Sequence, residues 1–231
     1  MRANTKSTRA NAQTRILIVD DHPMMRQGLA QLVNNEPDLA VCCEAENAHQ
    51  ALAAIDKDPP DLVLADITLP DKSGIELIKD IQAIHSGMAV LVISMHDESL
   101  YAERVLRAGG RGYIMKQEGG KKLMEAIRQV LSGQIYVSEK MSARILESFS
   151  GRRFPGAGRS PVENLTDREF EVFQLIGQGN GTRQIAEKLH LSVKTVEVHR
   201  VNIKTKLKLQ SATELIRFAV RWVETQNAGE H

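Results

Sequence analysis

The stretch DLVLADITLPDKSG, residues 61–74, carries the reading that decides the fold. Leu62 to Ala65 form an uninterrupted apolar run, the pattern of a strand buried on both faces. Asp66 ends the run. Ser73 then offers a hydroxyl to cap a helix, with Glu76 three residues on as its capping-box partner. Working outward, the same strand-then-helix unit recurs. Apolar runs stand at 15–19 (RILIV), 39–45 (LAVCCEA), 88–94 (MAVLVIS) and 111–115 (RGYIM). Helix-length segments lie near 23–35, 47–57, 73–84, 97–108 and 119–132. Pro23 suits a first helical position, where proline has no N–H to lose, and Gly109-Gly110 and Gly119-Gly120 punctuate the later helices. Five such repeats predict an α/β domain, a doubly wound five-stranded parallel sheet whose sites belong at the carboxyl ends of its strands.

The pattern stops near Gly133. SEKMSARILESF (138–149) predicts a short helix, and GRRFPGAGRSP (151–161) has the glycine, proline and arginine content of a linker. From Leu165 onward the chain predicts helices alone. Thr166 with Glu169 marks one helix start, Thr182 a second, and Ser192 caps a third helix to about Lys208. A fourth runs from about Ala212 to Val223. A short helix, a tight turn at 190–192 and a longer basic helix make a helix-turn-helix, whose second helix enters the DNA major groove. The expected division is an α/β domain at 15–134, a linker with a short helix at 135–161, and a small all-α four-helix domain at 162–227.

Composition narrows the classes. Adjacent Cys42 and Cys43 in an apolar run cannot staple a fold, no Cys/His spacing resembles a zinc site, and both read as small strand residues of a reducing compartment. No apolar stretch approaches the roughly 20 residues of a membrane span. The first fourteen residues are polar and basic, unlike a secretory signal, so a cytoplasmic location is expected. Lys and Arg number 30 against 29 Asp and Glu, a net charge of +1 that by itself speaks against a nucleic-acid binder. The sum hides two halves: residues 15–137 hold 12 basic and 18 acidic side chains, whereas 183–208 hold seven basic and two acidic. An acidic domain is joined to a basic one, and the two are expected to attract each other.

Because every strand of a parallel sheet runs the same way, Asp20-Asp21 after strand one, Asp66 after strand three, Ser94 at the end of strand four and Lys116 after strand five fall on one edge. Three converging carboxylates call for a cation, and oxygen ligands suit Mg²⁺. A hydroxyl and a lysine facing the same point are what a phosphoryl group needs. The ordered set ILIVDDHP, LVLADITLPDKSG, LVISMHD and GGRGYIMKQ resembles the receiver domain of two-component response regulators, a flavodoxin-like fold. The resemblance implies that Asp66 is the phosphoacceptor, that Asp20, Asp21, Asp66 and the Thr68 backbone carbonyl hold Mg²⁺, that Ser94 and Tyr113 change position on activation, and that Lys116 pairs with the phosphoryl group. Pro70 and Gly74 match the family's loop-shaping residues. Gln117 departs from the proline common after the lysine.

On the third C-terminal helix, at 100° per residue, Val196, Ile203 and Leu207 cluster within about 40° and predict the buried stripe. Lys194, Val198, Val201 and Thr205 then lie about 140–200° away, on the outward face. Two valines there suit thymine methyls, and Glu197 can accept from a cytosine amine. Lys204 and Lys206 flank that face and are placed for phosphates. Thr182 and Thr195 are further DNA-contact candidates. The stretches LTDREFEVFQLIGQG, IAEKLHLS and KTVEVHR resemble the LuxR-type helix-turn-helix, so the whole chain resembles a NarL/FixJ-type response regulator. That resemblance places base reading on Glu197, Val198 and Val201. NGTRQ departs from the family's more usual polar run before the scaffold helix.

The resemblance implies a transcription regulator, not an enzyme, whose partners are a sensor histidine kinase or small phosphodonor and double-stranded promoter DNA, with a homodimer formed on phosphorylation and no membrane partner. The alternative is a regulator that binds DNA constitutively and uses its receiver only as an interaction module. A phosphatase with an aspartyl-phosphate intermediate needs a second acid two residues after the first; Thr68 stands there instead.

Overall fold

The computed structural model describes residues 13–149 and 161–228; the leader up to residue 12 and residues 150–160 of the expected linker lie outside the described residues. The chain runs β1 (Thr14–Val19), α1 (Pro23–Asn34), β2 (Leu39–Ala45), α2 (Ala48–Lys57), β3 (Leu62–Ala65), α3 (Gly74–Ile84), β4 (Ala89–Ser94), α4 (Glu98–Arg107), β5 (Gly112–Met115) and α5 (Gly119–Leu131). A short 3-10 turn, Lys116–Glu118, joins β5 to α5. Then follow α6 (Glu139–Phe149), α7 (Asp167–Gly177), α8 (Thr182–Lys188), α9 (Val193–Lys206) and α10 (Ala212–Ala228).

The five strands are all parallel, in the order β2-β1-β3-β4-β5. This is the flavodoxin-like winding, in which the strand order reverses between β1 and β3. The two-residue period of the strands sorts side chains to opposite faces. Ile16, Ile18, Leu62, Leu64, Leu91 and Ile93 face α1 and α5, where they meet Leu29, Val33, Leu123 and Ile127. Leu17, Val19, Val63, Ala65, Val90 and Val92 face α2, α3 and α4, and that core continues into the C-terminal helices through Tyr101 and Phe170. Each buried branched side chain contributes about 1.5–3 kcal/mol relative to exposure.

The expected caps form. Ser73 and Glu76 close a capping box on α3, and Thr166 and Glu169 close one on α7. Pro23 opens α1. Gly74 is a packing requirement: a Cβ there would stand 2.1 Å from the Asp66 carbonyl oxygen. Cys42 and Cys43 are free, half-buried thiols on β2. Three boundaries differ from expectation. Thr14 already belongs to β1, α9 ends at Lys206 because Lys208 takes a positive φ of 56°, and α10 continues past Val223 to Ala228. None of the described helices is long and apolar enough to cross a membrane.

Candidate functional site

Register places the acids. Val19 pairs with Ala65, and the Asp66 N–H donates to the Val19 carbonyl at 2.8 Å, so Asp20 and Asp66 leave neighbouring strands side by side at the reversal of strand order. Ser94 pairs with Met115, which sets Lys116 one residue beyond β5. Lys116 Nζ then donates to Asp20 Oδ2 at 2.6 Å and to Asp66 Oδ2 at 2.7 Å. Burial pushes the Asp66 carboxyl up to about 6; Lys116 opposes the rise and Asp20 adds to it. Asp66 therefore remains ionised at neutral pH. Burial works against the Lys116 charge, but Asp66 and Asp20 outweigh it and raise the Lys116 pKa.

Asp20, Asp21, His22 and Asp66 each bring one ligand atom within 4.8 Å of the others. Asp20 Oδ1 accepts from the His22 N–H at 2.9 Å. Asp21 Oδ1 is buried without a hydrogen bond, although His22 Nδ1 lies 2.7 Å away. A buried carboxylate oxygen lacking a donor, beside two more carboxylates, fits a divalent cation that prefers oxygen. His22 was not anticipated, although it directly follows the acid pair; its ring is 69% exposed and borders the cluster.

The remaining candidates surround one histidine. Ser94 is buried, and its Oγ accepts from the His96 N–H at 3.2 Å. Tyr113 is buried and its hydroxyl donates to the His96 carbonyl at 2.8 Å, while burial raises its pKa. The Thr68 N–H donates to Asp66 Oδ1 at 3.4 Å, and Thr68 Oγ1 lies 3.1 Å from His96 Nε2. Burial, then the charges of Lys116 and Lys188, lower the His96 pKa and keep the ring neutral. His96 also packs against Tyr101, ring centroids 5.1 Å apart, and Tyr101 meets Phe170 edge to face at 5.4 Å. Sequence reasoning missed His96: a lone histidine after a strand carries no local signal.

In the C-terminal helices, α8 and α9 flank the turn at Leu189–Ser192, which Arg168 braces by donating to the Leu189 carbonyl at 2.7 Å. Val196, Ile203 and Leu207 are buried, as helix phase predicts. Val198 and Val201 are 52% and 55% exposed, and Lys194, Glu197 and Thr205 share their open face. Thr182, Thr195 and Lys204 are half-buried beside it. Lys206 is turned away to an ion pair with Glu169 at 2.6 Å, which lies within the α7 capping box.

The two parts touch through unexpected charges. Lys79 and Arg104 of the α/β domain both reach Asp167 at the start of α7, at 2.6 and 3.2 Å. The acidic domain thus supplies the cations at this seam. Among the described residues, His190 also joins the halves, its Nε2 3.1 Å from Asp21 Oδ2.

A doubly wound domain with acids, a hydroxyl and a lysine on one sheet edge, followed by a helix-turn-helix with an open apolar face, defines a DNA-binding response regulator. Residues 16–128 match the response regulator receiver domain, and 163–219 match the bacterial regulatory proteins of the luxR family. The chain belongs to the LuxR-type response regulators, which bind DNA and regulate transcription. It is 33% identical over 210 residues to the oxygen regulatory protein NreC of Staphylococcus haemolyticus, covering 90% of this chain and 97% of that one. The Staphylococcus aureus (strain JH9) protein of the same name is 34% identical over 210 residues, with the same coverage. Among solved structures, a LuxR-family two-component response regulator from Aurantimonas sp. SI85-9A1 is 33% identical with a TM-score of 0.56, covering 60% of this chain and 99% of that one. RcsB from Salmonella enterica serovar Typhimurium, bound to promoter P1flhDC in the presence of the phosphomimetic BeF3-, is 25% identical with a TM-score of 0.58, covering 90% and 98%.

Proposed function

We propose that residues 15–134 form a phosphoacceptor domain, that 135–161 connect it to a DNA-reading domain at 162–227, and that phosphorylation of Asp66 controls dimerisation and sequence-specific DNA binding in the cytoplasm. The observation that carries this reading is the buried Asp66 carboxylate, which Lys116 Nζ bridges to Asp20 at the sheet edge.

Asp66 presents an ionised oxygen to a phosphohistidine of a partner kinase or to a small acyl phosphate. The oxygen bonds to phosphorus while the bond to the donor nitrogen or oxygen breaks, and the donor leaves with that electron pair. Asp20, Asp21, Asp66 and the Thr68 carbonyl would hold Mg²⁺, which when bound supplies charge neutralisation for the incoming phosphoryl oxygens. Lys116 is positioned to pair with the new charge, and Ser94 to donate its hydroxyl to it. Ser94 Oγ accepts from the His96 N–H, a contact that leaves its hydroxyl proton to donate, and Tyr113 is tied to the same residue. The acyl phosphate carries about two negative charges where the carboxylate carried one, and the added charge biases the β4–α4 loop between two arrangements. The chain acts as a phosphoacceptor and not as a turnover enzyme.

On DNA, Glu197, Val198 and Val201 read base edges. Lys194, Lys204, Lys206, Thr182 and Thr195 serve the backbone, Lys206 after leaving Glu169. Two copies meet two half-sites. Labelling with radioactive acetyl phosphate tests the acceptor: the wild type incorporates phosphate and Asp66→Asn does not. Normal labelling of Asp66→Asn sinks the assignment.

A further inference from the structure

Cys42 and Cys43 are the chain's two cysteines, and neither the acceptor pocket nor the reading face of α9 uses them. Neighbouring residues of a flat strand point to opposite faces, which keeps adjacent thiols apart. Here the strand is not flat. Ile16 pairs with Val41 and Leu17 with Cys43, so Cys42 is the extra residue of a β-bulge. The bulge brings the two sulfurs together, 3.2 Å apart. Cys42 Sγ also donates to the Ile16 carbonyl at 3.5 Å, which fixes that thiol at the bulge. Both thiols are half-buried, and β2 is an edge strand of the sheet, so the pair is reached from solvent.

Oxidation and chelation compete for such a pair. A disulfide needs Cα atoms about 4.4 Å or more apart, whereas consecutive Cα atoms lie about 3.8 Å apart, which disfavours closure. Burial, then Cys42, pushes the Cys43 thiol up to about 12, withholding the thiolate through which peroxides and alkylating agents react. Chelation of a soft centre remains, and the separation selects the centre. With bonds of about 2.3 Å to sulfur, right-angled bonds hold two sulfurs about 3.3 Å apart, tetrahedral bonds about 3.8 Å and linear bonds about 4.6 Å. The observed 3.2 Å suits the first, the pyramidal geometry of trivalent arsenic. The geometry points to a chelating site for a monosubstituted trivalent arsenical, R–As=O, at the Cys42–Cys43 bulge. Two As–S bonds form, both S–H bonds break, and the two protons leave with the oxide as one water. Arsenic stays trivalent, so no oxidant or reductant enters.

Phenylarsine oxide and the full chain test it. By intact-mass measurement the wild type is expected to take up one equivalent, gaining the mass of the reagent less one water. Excess mercaptoethanol should leave the adduct in place, and dimercaptopropanol should strip it. Cys42→Ser and Cys43→Ser each keep one thiol and are expected to hold the reagent about 100-fold or more weakly, having lost the second, tethered ligand. The reagent should also raise the thermal midpoint of the wild type, because a site built by the bulge binds the folded chain better than the unfolded one. No uptake by the wild type overturns the site. A single-cysteine variant that holds the reagent as firmly as the wild type overturns the chelate, as does release of the wild-type adduct to mercaptoethanol. A midpoint that falls or stays put overturns the bulge as the source of the geometry, since an adjacent pair in the unfolded chain then serves as well.

Discussion

Arg104 of α4 holds its guanidinium 4.1 Å from the ring centroid of Phe170 in α7. The same group donates to the Val162 carbonyl at 2.9 Å, the Leu165 carbonyl at 3.1 Å and Asp167 at 3.2 Å. One side chain of the receiver thus closes the entrance to the DNA-binding domain.

Arg104→Ala is expected to weaken that seam by on the order of 2 kcal/mol, from the charged hydrogen bonds and the cation–π contact together. The chain's one tryptophan, Trp222, packs on Phe170 at 5.6 Å and reports the change. Its emission should shift to the red in the variant, and the radius of gyration should grow. An unchanged spectrum and size would count against the seam as the restraint.

Glu171 is buried in α7, and burial pushes its carboxyl up to about 7, with Arg168 opposing. A carboxyl whose folded pKa exceeds its unfolded value near 4.5 contributes stability at acid pH, and that contribution disappears as pH rises through the folded value. Glu171→Gln does not titrate. The stability difference should therefore shift in favour of the variant between pH 4.5 and pH 8, by up to about 3 kcal/mol. Denaturant melts at those two pH values check it, and a pH-independent difference would contradict it.

Val198 is half-exposed on the open face of α9 and carries none of the core. Val198→Glu is expected to leave thermal stability within about 0.5 kcal/mol of wild type, as surface changes do. It should lose DNA binding in a gel-shift assay while the receiver still accepts phosphate. Retained DNA affinity would move the reading face elsewhere.

A side chain at Gly74 would collide with backbone, since its Cβ would stand 2.1 Å from the Asp66 carbonyl oxygen and 2.8 Å from Ile67 Cα. Gly74→Ala should lower stability by about 1–3 kcal/mol, the cost of overpacking. The displacement falls on the acceptor loop, so labelling from acetyl phosphate should fall with it. A variant as stable and as readily labelled as the wild type would refute the close approach.

The sequence by itself determined the elements, the parallel winding and the meeting of Asp20, Asp21, Asp66 and Lys116 on the edge where Ser94 also ends β4. These follow from local signals: apolar runs, a proline, two capping boxes, and the rule that parallel strands end on one edge. Helix phase likewise determined which side of α9 is buried. Only the tertiary structure decided how the halves meet. The gross charges point to an acidic receiver drawing in a basic partner, yet Lys79 and Arg104 of the receiver hold Asp167 of the other domain. Lys206 pairs with Glu169, His96 ties Thr68, Ser94 and Tyr113 together, and His190 reaches Asp21. Net charge acts over a screened distance and sums over whole surfaces, whereas docking is decided by the few side chains brought into contact. Contacts between residues so distant in the chain have no period and no spacing to betray them, so packing alone assigns the partners.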